Sequence, residues 1–158
     1  MSGVRSSPRH QSRQAALQVL YAADLMAGCE PTSPIEAVFD DVARHFELAP
    51  GARSFADELV SGVAAVRGEL DALLAGHARN WRLSRMAVVD RNVLRLGAFE
   101  LGHTDTPTSV ILDEAIELAR RFGAESSPAF VNGVLDAVAR ALRPNAVAQA
   151  LPTREQGP

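Results

Sequence analysis

Val88-Val89-Asp90-Arg91-Asn92-Val93-Leu94-Arg95-Leu96-Gly97-Ala98-Phe99-Glu100-Leu101 is the stretch on which the fold turns. Wound at about 100° per residue, Val88, Val89, Val93, Leu94, Leu96, Phe99 and Leu101 point in several directions. A helix over 85–102 is therefore apolar nearly all the way round, and neighbours must cover it on most sides. This predicts a central helix wrapped by others. Downstream, 108–122 is amphipathic: Ile111, Leu112, Ala115, Leu118, Ala119 and Phe122 share one face, and Asp113, Glu117, Arg120 and Arg121 share the other, most simply a solvated one. In 128–142 the residues Val131, Val134, Leu135, Val138 and Leu142 form a core stripe, with Phe130 at its edge. Upstream, the spacing predicts helices over 8–27, 34–48 and 52–75, the last broken near Gly62 or Gly68.

Punctuation supports these boundaries. Ser7-Pro8, Ser33-Pro34, Thr106-Pro107 and Ser127-Pro128 each offer a capping hydroxyl followed by a proline whose missing N–H costs nothing at a first helical position. Gly28, Gly76 and Gly123 suit helix ends. No segment alternates in the manner of a strand. The expected fold class is all-α, a compact bundle of about six to seven helices.

With 158 residues, 47% of them hydrophobic, the chain suits one domain with a real core. We expect a flexible basic N-terminus over 1–8, a single helical domain over 9–143 and a flexible tail over 144–158. A single cysteine, Cys29, offers neither an internal disulfide nor a zinc or redox motif. The N-terminus lacks an apolar signal segment, and no run approaches the roughly 18 apolar residues of a membrane span. A soluble, cytoplasmic protein without a membrane partner is expected. All 16 basic residues are arginine, which a GC-rich coding bias explains more simply than phosphate recognition. Their placement says more. The net charge is −3, yet the first acid, Asp24, comes only after Arg5, Arg9 and Arg13.

Two remote segments suggest one RNA-binding surface. On the first helix His10, Gln14 and Tyr21 fall on a narrow stripe flanked by Arg13, while Ala16, Val19, Leu20 and Ala23 face inward. Guanidinium groups neutralise phosphates, flat rings stack on unpaired bases, and amides bond ribose or base edges. Phe130 is the second candidate ring, although periodicity alone favours a partly buried core residue there. Arg95, on a mostly apolar helix, requires a carboxylate, and Glu114 is one candidate. Trp81 reads as a packing anchor between subdomains.

Several blocks carry a family resemblance. Arg13-Gln14-Ala15-Ala16-Leu17-Gln18-Val19-Leu20-Tyr21, Phe55-Ala56-Asp57-Glu58-Leu59-Val60-Ser61-Gly62-Val63, Asp90 to Leu101, Asp113 to Gly123 and Phe130-Val131-Asn132-Gly133-Val134-Leu135-Asp136 follow one another in order over about residues 9–143. In this the chain resembles the NusB transcription antitermination factors. The resemblance implies two small helical subdomains, here about 9–76 and 77–143, that bind boxA-type RNA of nascent ribosomal transcripts together with the ribosomal protein NusE. RNA polymerase and the other Nus factors would be indirect partners, a homodimer is a state some relatives adopt, and no cofactor is implied. Carried over by position, Arg9 and Arg13 match the arginine-rich N-terminus, Tyr21 the aromatic after it and Phe130 an aromatic of the RNA surface. Arg5, His10 and Gln14 join them as RNA-binding candidates. Asp90 matches an acid that faces the NusE-like partner, and Trp81 is grouped with it. His10, Gln11 and Ser12 stand where some relatives have more arginine. Ser126 and Ala129 stand where relatives can carry an acid and a lysine.

Catalytic readings fall short. Glu100-Leu101-Gly102-His103 has the Glu-x-x-His spacing of a carboxylate-bridged metal site, but the second copy such sites need is missing. Asp40-Asp41 and Asp113-Glu114 are neighbours whose side chains diverge by about 100° on a helix. The expectation is a non-enzymatic adaptor with no metal site. The alternatives are a ribosome-assembly partner of NusE with little RNA binding of its own, and an RNA-targeting module of an rRNA cytosine methyltransferase, for which no catalytic domain is expected here.

Overall fold

The computed structural model describes residues 7–26, 35–44, 48–78 and 82–145. Among them the chain forms seven α-helices and no strand: α1 Pro8–Met26, α2 Ile35–Ala43, α3 Ala52–Ala65, α4 Arg67–His77, α5 Val88–His103, α6 Thr108–Phe122 and α7 Ser127–Leu142. A short 3-10 turn, Leu83–Arg85, precedes α5. Arg5, Trp81, Gly28 and the Ser33-Pro34 step lie outside the described residues.

The central helix is α5. Asn92 to Ala98, Glu100 and Leu101 are buried, and α1, α3, α4, α6 and α7 all pack against it. Its apolar side chains meet Ala16 and Leu17 of α1, Leu59, Val60 and Val63 of α3, Leu74 of α4, Ile111 and Leu118 of α6, and Val131, Leu135 and Val138 of α7 in one continuous core. Each large side chain so enclosed contributes about 1.5–3 kcal/mol of transfer free energy, which explains why a helix with no polar face is stable here. Two close approaches fix its distance from its neighbours. A Cβ on Gly62 would lie 2.1 Å from the Phe99 ring, and one on Gly97 would lie 2.5 Å from Leu135.

The helix starts divide by mechanism. Ser7 caps α1 as its position suggests, its Oγ accepting from the His10 amide at 3.1 Å. The other two described steps behave differently. At α6 Pro107 takes the cap position and no side chain caps the helix. At α7 Ser127 is buried and its Oγ accepts from Ala124 N at 2.9 Å, closing the turn behind the helix. Gly123 ends α6 because of that turn: a Cβ would sit 2.6 Å from Ser127 Oγ and 2.7 Å from the Ala119 carbonyl. The break expected near Gly62 or Gly68 falls between them, at Val66.

Arg143, just past α7, folds back over the end of α5. Its guanidinium donates to the carbonyls of Glu100, Leu101, Thr104 and Thr106 at 2.6–3.1 Å. Carbonyls at and just beyond the end of α5 are thereby gathered by one planar fork of donors.

Candidate nucleic-acid interface

The first turn of α5 is the hub of the site. On one side Leu17, Gln18 and Tyr21 of α1, Val89 of α5 and Phe122 of α6 line a shallow depression of about 230 Å³. On the other side Met86, Ala87, Asp90, Ser126 and Phe130 line a second one of about 160 Å³. Val89 and Asp90 are consecutive, so Tyr21 and Phe130 flank the same turn. Tyr21 is 38% exposed. Phe130 is half-buried and packs against the core while lining the second depression.

Asp90 stands in the first turn of α5, where the helix dipole favours an acid. Its Oδ1 is buried and meets no hydrogen-bond donor among the described residues. An acceptor in that state costs about 1–3 kcal/mol, so the depression beside Phe130 is chemically suited to receive a donor.

His10 and Gln14 lie on the Tyr21 stripe, as expected, and lead to α6. His10 Nδ1 is 2.5 Å from Glu114 Oε2, and Gln14 Nε2 lies 3.0 Å from His10 Nε2. Gln14 and Glu114 thus hold the two ring nitrogens of His10 from either side. Arg9 is exposed, its guanidinium carbon 4.3 Å from the centroid of the Phe55 ring on α3. It stands about 120° round the helix from Tyr21.

Arg13 requires a correction. Expected among the phosphate-binding groups, it is enclosed: its Nε and Nη2 bond Glu100 Oε2 and Oε1 at 2.9 and 2.7 Å, and both side chains are 3% exposed. The sequence placed Arg13 beside a polar stripe but could not show that Glu100 waits on the central helix. The same pair takes Glu100 out of the Glu-x-x-His spacing, and His103 stacks on Phe99 with centroids 5.0 Å apart.

Arg95 finds partners other than Glu114. Its Nε and Nη2 grip Asp71 at 2.7 and 3.0 Å, and its Nη1 reaches Asp24 Oδ2 at 3.0 Å. Arg91 and Asn92 bond the same Asp24 oxygen at 2.9 Å each. Burial alone pushes the Asp24 carboxyl up, but the hydrogen bonds from Arg91 and Asn92 and the charges of Arg95 and Arg91 outweigh it, and its pKa falls below the usual carboxylate value. The network ties α1, three residues after Tyr21, to α4 and α5.

Sequence reasoning did not single out Gln18, Val89, Phe122 or Met86 as surface residues. Only Phe122 carried a signal, being the last residue of the α6 apolar stripe, where the core gives way to solvent.

This strand-free arrangement round one enclosed helix belongs to a known class of all-helical proteins. A family model described as "NusB family" matches residues 10–140, and the chain belongs to that family. It is 46% identical over 138 residues to the transcription antitermination protein NusB of Geobacter sulfurreducens, covering 85% of this chain and 95% of that one. To the protein of the same name from Sorangium cellulosum it is 49% identical over 135 residues, with 85% and 93% covered. Among solved structures it is similar to T. maritima NusB, at a TM-score of 0.78 and 31% identity over 90% of this chain and 99% of the other. A NusB crystallised with NusE and double-stranded RNA matches at a TM-score of 0.74 and 27% identity, over 85% and 97%. No helix among the described residues is long and apolar enough to cross a membrane.

Proposed function

We propose that this protein is an RNA-binding antitermination factor. It holds boxA-type single-stranded RNA of nascent ribosomal transcripts together with NusE, as part of the complex that other Nus factors form on RNA polymerase. The observation that carries the reading is the pair of rings, Tyr21 and Phe130, on either side of the first turn of α5. Flat rings that line open depressions suit unpaired bases, because every base has a face to stack and a duplex hides it. Gln14 and Gln18 supply amides beside Tyr21, and Asp90 supplies an acceptor with no donor among the described residues, for RNA or NusE to meet. Arg9 adds charge at the margin. Arg13 acts indirectly, by holding α1 against α5. The protein works by assembly, with no bond made or broken.

Fluorescence anisotropy with labelled boxA-type RNA, with and without NusE, tests this. Wild type binds, and binds more tightly when NusE is present. Tyr21→Ala loses about 1–3 kcal/mol of RNA affinity with an unchanged melting temperature, since the ring is 38% exposed. The duplex form of the same sequence, included because a related NusB was crystallised with double-stranded RNA, binds more weakly. Equal binding of single strand and duplex, or full affinity in the Tyr21→Ala protein, would overturn the stacking mechanism.

A second reading has its own support. Leu25 and Met26, beyond Tyr21 on α1, are 51% and 40% exposed, an apolar end that suits a protein partner. On that reading the protein assists ribosome assembly through NusE, and the titration shows NusE bound and RNA ignored.

A further inference from the structure

The last turn of α6 holds two adjacent arginines, and their surroundings separate them. Arg120 Nη1 is paired with Glu117 on its own helix. Arg121 is exposed, and among the described residues no carboxylate lies within ion-pair distance of it. Its guanidinium carbon lies 5.4 Å from the centroid of the Phe122 ring. Phe122 is a wall of the depression that Tyr21 lines. An uncompensated cation is thus held over an aromatic face at the rim of that depression.

The described arginines of α1 stand elsewhere: Arg13 is sealed against Glu100, and Arg9 leans on Phe55 of α3, about 120° round the helix from Tyr21. A base stacked on Tyr21 carries its phosphates out to the rim, where a guanidinium presents several donors to their oxygens without reading sequence. We infer that Arg121 is a phosphate-contacting residue of the RNA surface, an inference that rests on the RNA-binding reading above. The competing explanation is local: a cation in the last turn also stabilises the end of its own helix. The two differ in what they move, since helix-end stabilisation shifts the melting temperature and phosphate contact shifts the salt dependence of binding.

The test is anisotropy of labelled single-stranded boxA-type RNA across a salt series, with and without NusE. The proteins are wild type, Arg121→Gln, Arg121→Lys and Arg140→Gln, the last removing equal charge from the final turn of α7. Arg121→Gln should bind several-fold more weakly and flatten the log–log salt slope by about 0.7, one phosphate's share for a single strand. Arg121→Lys should keep the slope, and Arg140→Gln should leave both slope and affinity unchanged. A wild-type slope in Arg121→Gln, with or without a change in melting temperature, overturns the inference and leaves RNA binding standing. So does weaker NusE binding without RNA at an unchanged slope, which would make Arg121 a protein contact. If wild type binds no RNA under any condition, both readings fall together.

Discussion

Arg13 and Glu100 form an ion pair from which water is almost excluded, and that decides what their substitution does. Removing one partner leaves the other as an uncompensated buried charge, at a cost of about 3–5 kcal/mol. Arg13→Ala and Glu100→Ala should each lower the unfolding free energy by that amount, read as an earlier urea midpoint, and a Met/Leu double replacement should lose much less. A normal midpoint in either single variant would contradict the pairing. Arg13→Lys should not rescue, because an ammonium cannot reproduce a two-point grip. The sequence made some of this visible. Arg95 was legible as a guanidinium needing a carboxylate, and Tyr21 as a ring on a polar stripe, because both follow from helical spacing. The partners were not legible: Asp71, Asp24 and Glu100 reach their arginines across helix packing, which a one-dimensional pattern does not encode.

At the scale of the element, the glycines of the bundle divide by what surrounds them. Gly62 of α3 lets the Phe99 ring lie where a side chain would be, since a Cβ there would come within 2.1 Å of it. Gly133, exposed in the middle of α7, has nothing within 4 Å of its notional Cβ. Gly62→Ala should therefore destabilise by about 1–3 kcal/mol through overpacking, while Gly133→Ala should stabilise by about 0.5–1 kcal/mol through lower unfolded-state entropy. Guanidinium chloride denaturation of the pair checks this, and the opposite order of stabilities would refute it. The helices themselves were largely readable, because an amphipathic or wholly apolar period survives in sequence. Their ends were less so. Gly62 suggested a break and proved to be a packing contact, and the serine before Pro128 turned its hydroxyl back to the preceding loop instead of capping α7.

Across the whole molecule, the buried Asp24 cluster binds α1, α4 and α5 into one body and gives its stability a pH dependence. The folded pKa of Asp24 lies below the unfolded value of about 3.9, so its contribution is complete above that value and is lost as pH falls through the folded one. Thermal melts from pH 7 down to 3 should show a fall in melting temperature below about pH 4. Asp24→Asn should be less stable at neutral pH and fall less steeply in acid, and parallel curves would exclude Asp24 as a source of the dependence. That α5 sits at the centre was readable from its lack of a polar face, whereas the meeting of two depressions at its first turn depends on how α1, α6 and α7 are docked. The pairings also carry a meaning for biosynthesis. Arg13 meets a residue 87 positions later, and His10 one 104 positions later. During synthesis α1 thus precedes the carboxylate that neutralises its guanidinium by several helices, and a nascent fragment that stops short of α5 leaves Arg13 without Glu100.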